Sequence, residues 1–151
     1  MRASRVDPER LEHCACFSTR KAARAVTRAF DTALAPCGLE STQFTVLAAL
    51  AGEPHGVSSL AQHLAMDRST VTRNIQPLVR RGLVAVRRGR DARRRDISLT
   101  AAGLRKLKAA MPVWRKTQQR TVSAIGRARY ITLLGGLSSL STIAPQTRDA
   151  R

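Results

Sequence analysis

The sequence predicts a mainly α-helical fold that carries one small β-hairpin. Apolar residues recur at steps of three and four over most of the chain, the period of an amphipathic helix. Residues 83–86 form a short apolar run and residues 96–100 alternate apolar and polar side chains, as paired strands do. Aromatic residues make up 3% of the 151 residues, so Leu, Val, Ile and Ala must build the core. At this length we expect one domain, residues 1–151.

The N-terminal flank, residues 8–52, is expected to hold two helices. An apolar stripe runs along residues 8–35 and closes on Cys37, and Pro36 with Gly38 ends this helix. The stripe consists of Cys16, Thr19, Ala23, Val26, Phe30 and Ala33. A second helix is predicted from Ser41 to Gly52. Its buried side is expected to consist of Phe44, Leu47, Ala48 and Leu50.

Two short helices follow, separated by a tight turn at residues 65–68. The first is predicted to begin at Ser59, because Ser59 and Gln62 have the spacing of a capping box. In the second helix, one face carries Val71, Ile75 and Leu78, and the opposite face carries Ser69, Thr72, Arg73 and Gln76. Pro77 lies inside this helix, where loss of a backbone hydrogen bond costs about 3 kcal/mol unless a kink absorbs it.

A basic hairpin comes next, with Gly82 as the predicted helix cap and residues 89–95 as the hairpin tip. Between Arg68 and Arg95, ten arginines face a single acid, Asp91. The arginines are Arg68, Arg73, Arg80, Arg81, Arg87, Arg88, Arg90, Arg93, Arg94 and Arg95. Two short helices separated by a tight turn and followed by a basic hairpin have the layout of a winged helix-turn-helix. Residues 56–100 are therefore predicted to form a DNA-binding lobe.

The C-terminal flank, residues 104–141, is predicted to be helical as well. Thr100 is expected to begin its first helix, and Pro112 suggests a bend in that helix. A break near Gly126 precedes a last helix. That helix carries Tyr130, Leu133, Leu134, Leu137 and Leu140. Trp114 is expected to mark core or dimer packing.

The charge requires a polyanionic partner, because 27 Lys and Arg stand against 10 Asp and Glu, a formal net charge of +17. Nucleic acid, an anionic membrane and an acidic protein all qualify, although guanidinium groups favour phosphate and guanine. The sequence shows no signal peptide and no membrane-spanning run, so we expect a soluble, cytoplasmic protein. It also lacks phosphate-loop, nucleophile-elbow and zinc motifs, so no enzyme activity, metal or cofactor is expected.

The side chains of the polar helix face fit the chemistry of double-stranded DNA. Arg73 can donate two hydrogen bonds to guanine and Gln76 can pair with adenine, so both are predicted to specify bases. The hydroxyl residues near the helix start are expected to contact phosphates or thymine methyl groups. They are Ser69, Thr70 and Thr72. The hairpin is expected to grip the phosphates and the narrow minor groove through its arginines. With Arg68, the basic contacts are Arg88, Arg90, Arg93, Arg94 and Arg95.

Residues 59–103 resemble the MarR family of regulators. The matching stretches are Leu60-Ala61 with Leu64, Asp67 to Arg73, Gly82-Leu83-Val84, Asp91-Ala92-Arg93 and Leu99 to Gly103. The resemblance implies a homodimer held by both helical flanks on a pseudo-palindromic operator, usually a repressor released by a small molecule. It also implies that Arg93 enters the minor groove and that Asp91 orients the wing. Pro77 departs from the usual family helix, and a kink at Pro77 would change how far the neighbouring Gln76 reaches toward the bases.

Three cysteines, Cys14, Cys16 and Cys37, are too few and odd in number for a disulfide framework. On one helix Cys14 and Cys16 would point about 200° apart and could not share a metal ion. Cys16 and Cys37 lie on the apolar stripe and are expected to be buried. Cys14 is the best candidate for a redox sensor, by approaching Cys37 or a cysteine of a second subunit.

Two functions fit these observations. The first is a sequence-specific regulator released by a small aromatic effector or by an oxidant. The alternative is a nonspecific architectural protein of the nucleoid type. Both would bind DNA with a steep salt dependence, so the preference for one operator over random duplex distinguishes them.

Overall fold

The computed structural model describes residue 11, residues 13–88 without the side chain of Arg88, and residues 95–143. The helices in these ranges are α1 (Ala15–Leu34), a 3-10 turn (Ala35–Cys37), α2 (Ser41–Ala49), α3 (Val57–His63), α4 (Arg68–Arg80), α5 (Ala101–Ile125) and α6 (Arg127–Ser141). The strands are β1 (His55–Gly56), β2 (Val84–Arg88) and β3 (Arg95–Leu99). The chain divides into two compact units, residues 1–114 and residues 115–151. The single-domain organisation stays a prediction.

Helix α1 begins later than the sequence predicts. The backbone of Cys14 is extended, with φ −74° and ψ 117°, so the prediction of one continuous helix over residues 8–35 is wrong. Within α1 only Phe30 and Leu34 are buried, while Val26 on the same stripe is 46% exposed. The N-terminal part of the apolar stripe is therefore not covered within this subunit.

Helix α2 begins at Ser41 as predicted, and its N-terminus is held by two carboxylates. Glu40 and Gln43 form a capping box, in which the Glu40 side chain accepts the Gln43 N–H. Asp31 Oδ1 accepts the Ser41 N–H at 2.7 Å. The predicted buried residues Phe44, Leu47 and Leu50 are buried, whereas Ala48 is exposed and Val46 is buried instead.

Helix α3 begins at Val57, so the capping box predicted at Ser59 is wrong. Ser59 lies inside the helix, and its hydroxyl donates to the Gly56 carbonyl at 3.1 Å. The start moves because His55 and Gly56 form a strand that pairs antiparallel with β3. Gly56 is then the last extended residue and takes the N-cap position. Leu60 and Ala61 are buried as predicted, and Leu64 is half-buried.

The turn between α3 and α4 places Ala65 in the left-handed region, with φ 50°. A side chain with a Cβ costs about 1 to 2 kcal/mol there, whereas glycine does not. We expect Ala65→Gly to raise the free energy of unfolding by about 0.5 to 1 kcal/mol, after the entropy that glycine adds to the unfolded chain. Chemical denaturation would measure it.

The matched control is Ala109→Gly, at an exposed site inside α5. There the same substitution should lower the free energy of unfolding by about 1 kcal/mol, because glycine is a poor helix former. Two changes of the same sign would contradict the interpretation of Ala65 as strained.

Helix α4 is amphipathic as predicted and extends three residues beyond Pro77. Because proline has no N–H, the Arg73 carbonyl lacks its usual helical donor four residues on. The helix ends at Arg80, and Gly82, which follows the C-cap residue Arg81, adopts φ 66°. The Gly82 N–H bonds the Val79 carbonyl and the Leu83 N–H bonds the Leu78 carbonyl, both at 2.9 Å. These two hydrogen bonds together form a Schellman motif, so the predicted role of Gly82 as the helix cap is confirmed.

Strands β2 and β3 form the predicted antiparallel hairpin, with Val84 opposite Leu99 and Arg88 opposite Arg95. The hairpin tip, residues 89–94, lies outside the described residues. Strand β1 adds to the other edge of β3, giving the strand order β1-β3-β2. A third strand is a feature that the sequence did not predict.

The core of the first unit lies where α1, α2, α3, α4, the first part of α5 and the hairpin meet. Its largest fully buried side chains are Leu34, Val46, Leu47, Leu60, Val71, Leu78 and Ile97. Aliphatic side chains dominate it, as the low aromatic content predicts. The buried face of α4 belongs to this core, so its polar face is held outward.

Helix α5 is capped as predicted, since Thr100 Oγ1 accepts the Gly103 N–H at 3.0 Å. It is assigned without a break through Pro112. In the second unit, Gly126 has φ 87° and separates α5 from α6, as predicted. Gln118 donates to the Tyr130 hydroxyl at 2.6 Å. Helix α6 has no buried residue, and its leucines and Ile131 are exposed.

No helix in the described part of the chain is both long and apolar enough to cross a membrane.

Candidate nucleic-acid interface

Helix α4 presents two faces of opposite character. Val71, Ile75 and Leu78 are buried at 0%, 5% and 0% exposure. On the other side the predicted reading residues Ser69, Thr72, Arg73 and Gln76 are all exposed. Arg68 is exposed as well, and Thr70 is half-buried at the boundary between the faces. The structure thus brings the helical part of the predicted site together on one surface.

Two hydrogen bonds on this surface define what its side chains offer. Thr72 Oγ1 donates to the Arg68 carbonyl at 2.8 Å, so the hydroxyl keeps its lone pairs for an incoming donor. Arg73 Nη2 donates to Thr70 Oγ1 at 3.4 Å. This long bond uses one of the five guanidinium N–H donors. The Arg73 side chain is held over the first turns of α4, where the helix dipole favours anions.

One residue of α4 that the sequence reading missed is Asn74. It is half-buried, and its amide Nδ2 lies 4.0 Å from Met66 Sδ, before the start of the helix. Asn74 lies between the exposed polar face and the buried apolar face of α4. The helical period of apolar residues therefore does not reveal its role. Only the contact with Met66 shows what Asn74 does: it ties α4 to the turn that precedes it.

The base of the hairpin, here called the wing root, comprises residues 87, 88, 95 and 96 and is described by the structure. The tip lies outside the described residues. Arg87 is exposed and stands opposite Asp96 across the strands, where opposite charges stabilise a pair. Arg95 is exposed at the first position of β3. The other predicted wing residues, Arg90, Asp91, Arg93 and Arg94, lie outside the described residues. The described root places arginines at the base of the hairpin beside α4, which precedes it by three residues.

A cavity of about 300 Å³ opens between α1, α2 and α5 within the first unit. Phe44 and Trp114 both line it and stack on each other, with ring centroids 5.8 Å apart and an interplanar angle of 12°. Phe30 and Leu34 add apolar wall, and Met66 closes one side. Trp114 packs against the core, as expected, and also lines this cavity. The size lies at the lower end of the range for small-molecule pockets.

All three cysteines are free thiols. Cys37 is half-buried and packs against the core, while Cys16 is exposed, so its predicted burial is wrong for a single subunit. Cys14 is half-buried and precedes α1 in extended conformation. The 200° separation predicted from a shared helix therefore does not apply to Cys14 and Cys16. Among the described residues, no three His, Cys, Asp or Glu gather where they could hold a metal ion.

Comparisons with known proteins identify the family. The family model described as MarR family matches residues 38–95. The crystal structure of the transcriptional regulator MosR of M. tuberculosis in complex with DNA is 40% identical and superposes with a TM-score of 0.72, over 84% of this chain and 97% of that one. This chain belongs to the MarR family.

Other solved structures of transcriptional regulators are similar to this chain as well. The transcriptional repressor CouR, bound to a 23-mer DNA duplex, is 25% identical with a TM-score of 0.80, over 91% of this chain and 99% of that one. A probable transcriptional regulator from Pseudomonas aeruginosa is 27% identical with a TM-score of 0.78, over 86% and 98%. No curated protein matches the chain significantly. The resemblance and the winged-helix fold are confirmed, and the chain is a DNA-binding transcriptional regulator of the MarR family.

Proposed function

We propose that this MarR-family chain is a homodimeric repressor that places α4 of each subunit in a major groove of a pseudo-palindromic operator. The observation that carries the proposal is the division of α4 into a buried apolar face and an exposed polar face. The relatives MosR and CouR have both been solved on DNA. As a DNA-binding regulator, the protein is proposed to act in the cytoplasm, and we assign it no catalytic role.

The roles of the helical residues follow from their chemistry and exposure. Arg73 donates two hydrogen bonds to guanine and Gln76 pairs with adenine, so these two residues specify bases. Ser69, Thr70 and Thr72 position the helix against the backbone or thymine methyl groups. Since the Thr72 proton is already donated to Arg68, Thr72 contacts a thymine methyl or a base donor more readily than a phosphate. Arg68 at the first helical position contacts phosphate.

The wing supplies the second part of the interface. Arg88, Arg90, Arg94 and Arg95 contact phosphates, and Arg93 enters the minor groove, where the negative potential is concentrated. Asp91 pairs with a neighbouring arginine and orients the wing. Together with α4, this lobe spans residues 56–100.

The helical flanks, residues 8–52 and residues 104–141, form the dimer. The support is apolar surface that each unit leaves exposed on its own, including Val26 of α1 and Ile131 of α6. Exposed apolar area of this kind marks a protein interface. Dimerisation sets the distance between the two reading helices, which must meet successive major-groove faces about 34 Å apart.

The signal that releases the operator is proposed to be a small aromatic effector in the cavity beside Trp114. CouR has been solved with p-coumaroyl-CoA as well as on DNA. In this chain Met66 connects the cavity to α4, because it lines the cavity, precedes the helix N-cap Asp67 and contacts Asn74. A ligand that displaces Met66 would bind more tightly to the conformation in which α4 has shifted. Such a difference in affinity between two conformations is what release of the operator requires. Oxidation at Cys14, Cys16 or Cys37 stays a prediction.

Operator preference tests the proposed function. We expect the protein to bind its own upstream region about a thousandfold more tightly than random duplex at physiological salt. Fluorescence anisotropy with labelled duplexes measures both affinities, and footprinting locates the site. A protected region with two half-sites separated by about one helical turn would match the dimer.

The alternative, a nonspecific architectural protein, predicts a flat profile across sequences. The matched control is a shuffled operator of the same length and base composition, measured over a series of salt concentrations. Equal affinities for the operator and the shuffled duplex would refute the regulator, since phosphate contacts alone would then account for binding.

A further inference from the structure

We propose that the effector of this protein is an uncharged aromatic molecule, and that the cavity beside Trp114 discriminates against carboxylate anions. The inference rests on the proposed function, because it takes the cavity as the effector site. The cavity walls are suited to an aromatic ring: Phe30, Phe44 and Trp114 supply three ring systems, and Val26 and Leu34 supply aliphatic surface. Its volume of about 300 Å³ holds one or two rings.

The polar groups in the lining are hydroxyls. They belong to Thr27, Ser41, Thr42 and Thr45, and none of the lining residues that the structure describes is ionisable. Although the chain has 27 Lys and Arg, no cation of the described residues lines the cavity to pair with a bound anion. The Thr45 hydroxyl donates to the Ser41 carbonyl at 2.9 Å and so faces a ligand with its lone pairs. Hydroxyls of this kind bind neutral donors such as an amide or a phenol.

The N-terminus of α2 borders the cavity through Ser41 and Thr42, and a helix N-terminus would ordinarily attract an anion. Here two carboxylates of the chain itself already bind free N–H groups at this helix end. The Ser41 N–H bonds Asp31 Oδ1 at 2.7 Å, and the Gln43 N–H bonds the Glu40 side chain. Two carboxylates therefore occupy the end of α2, and one of them is bonded to a residue of the cavity wall.

A carboxylate ligand in this cavity would lose water and gain no cation from the described lining, and the negative charge of Asp31 lies next to the wall, bonded to Ser41. Burial of an anion without a partner is strongly unfavourable, and repulsion from a neighbouring like charge adds to the cost. A neutral isostere has neither the desolvation cost of an anion nor the repulsion from Asp31. The charge arrangement therefore selects the charge of the ligand.

Two nearly isosteric probes test this selection: cinnamamide, which is neutral, and cinnamate, a carboxylate at neutral pH. We expect cinnamamide to bind the full-length protein about tenfold or more tightly than cinnamate, by isothermal titration calorimetry. Trp114 is the only tryptophan of the chain, so its fluorescence lifetime reports occupancy of the cavity directly. Operator release, followed by anisotropy, should require less cinnamamide than cinnamate.

The variant Asp31→Asn removes the charge and retains the Oδ1 acceptor for the Ser41 N–H, so α2 keeps its cap. We expect it to raise the affinity for cinnamate by about threefold to tenfold and to leave that for cinnamamide unchanged. The matched control is Glu53→Gln, which removes the same charge from the loop after α2, away from this cavity. It should change neither affinity.

Cinnamate binding as tightly as cinnamamide would overturn the inference, as would an Asp31→Asn variant with wild-type affinity for cinnamate. A Trp114 lifetime that changes with neither probe would show that the cavity binds no aromatic ligand, and would also overturn it. Operator binding without any ligand is measured separately. A negative result with the two probes would therefore not bear on the proposed DNA-binding function, which the operator-preference experiment tests.

Discussion

Replacing Gly103 with alanine is expected to lower the free energy of unfolding by about 3 kcal/mol or more, the upper range for overpacking. An added Cβ would collide with the carbonyl oxygen of Leu83 and come within 2.7 Å of Leu99 Cδ1. Gly103 is buried in the first turn of α5, where helix propensity alone would favour alanine by about 1 kcal/mol. The collision therefore decides the sign.

The clash cannot be relieved cheaply, because the Leu83 carbonyl is fixed from several sides. It accepts the Thr100 N–H at 3.1 Å and lies 3.0 Å from the Thr100 hydroxyl. The Leu83 N–H in turn bonds Leu78 in α4. Moving this carbonyl would disturb the root of the wing and the end of the reading helix together. We expect Gly103→Ala to weaken operator binding as well as stability.

The control for this prediction is Gly135→Ala in α6, where an added Cβ meets nothing within 4 Å. The same substitution should there raise the free energy of unfolding by about 1 kcal/mol. Circular dichroism during urea denaturation measures both variants. If Gly103→Ala were as stable as Gly135→Ala, the close approach of α5 to Leu83 would be refuted.

Arg73→Ala is expected to cost about 1 to 3 kcal/mol of operator affinity per half-site, and to do so mainly at one base pair. The exposed guanidinium on the polar face of α4 can form two parallel hydrogen bonds to guanine, and alanine forms none. In a dimer the loss occurs in both half-sites. Anisotropy with operators that carry single base-pair changes measures where the specificity is lost.

Arg88→Ala is the matched control, since Arg88 is assigned to phosphate. It should weaken binding to all sequences alike and should reduce the slope of affinity against salt by about one counterion per subunit. Equal and sequence-independent losses from both variants would contradict the division of roles between the helix and the wing.

The α4 surface could be predicted from the sequence because its signal is local. Val71, Ile75 and Leu78 repeat with the helical period, so the opposite face is set by geometry alone. Gly82 as a cap and Thr100 as an N-cap are local in the same sense, since each acts on residues within one turn. These predictions are confirmed by the structure.

The misplaced start of α3 and the features that the sequence reading missed depend on contacts that follow no local sequence period. Ser59 has the spacing of a capping box, yet α3 begins at Val57 because His55 and Gly56 pair with β3, about forty residues away. The residues that line the cavity could not be predicted, because Phe44 and Trp114 meet only after folding. Asn74 was missed because its partner is the thioether of Met66, which follows no sequence period.

By itself the sequence determined the element types, the two faces of α4, the basic character of the hairpin and the family. Period, capping chemistry and charge act over a few residues and can be read along the chain. Only the tertiary structure decided the third strand, the need for glycine at position 103, and a cavity lined by hydroxyls beside the carboxylate of Asp31. The physical reason is that each of these depends on which distant backbone or side chain comes into contact.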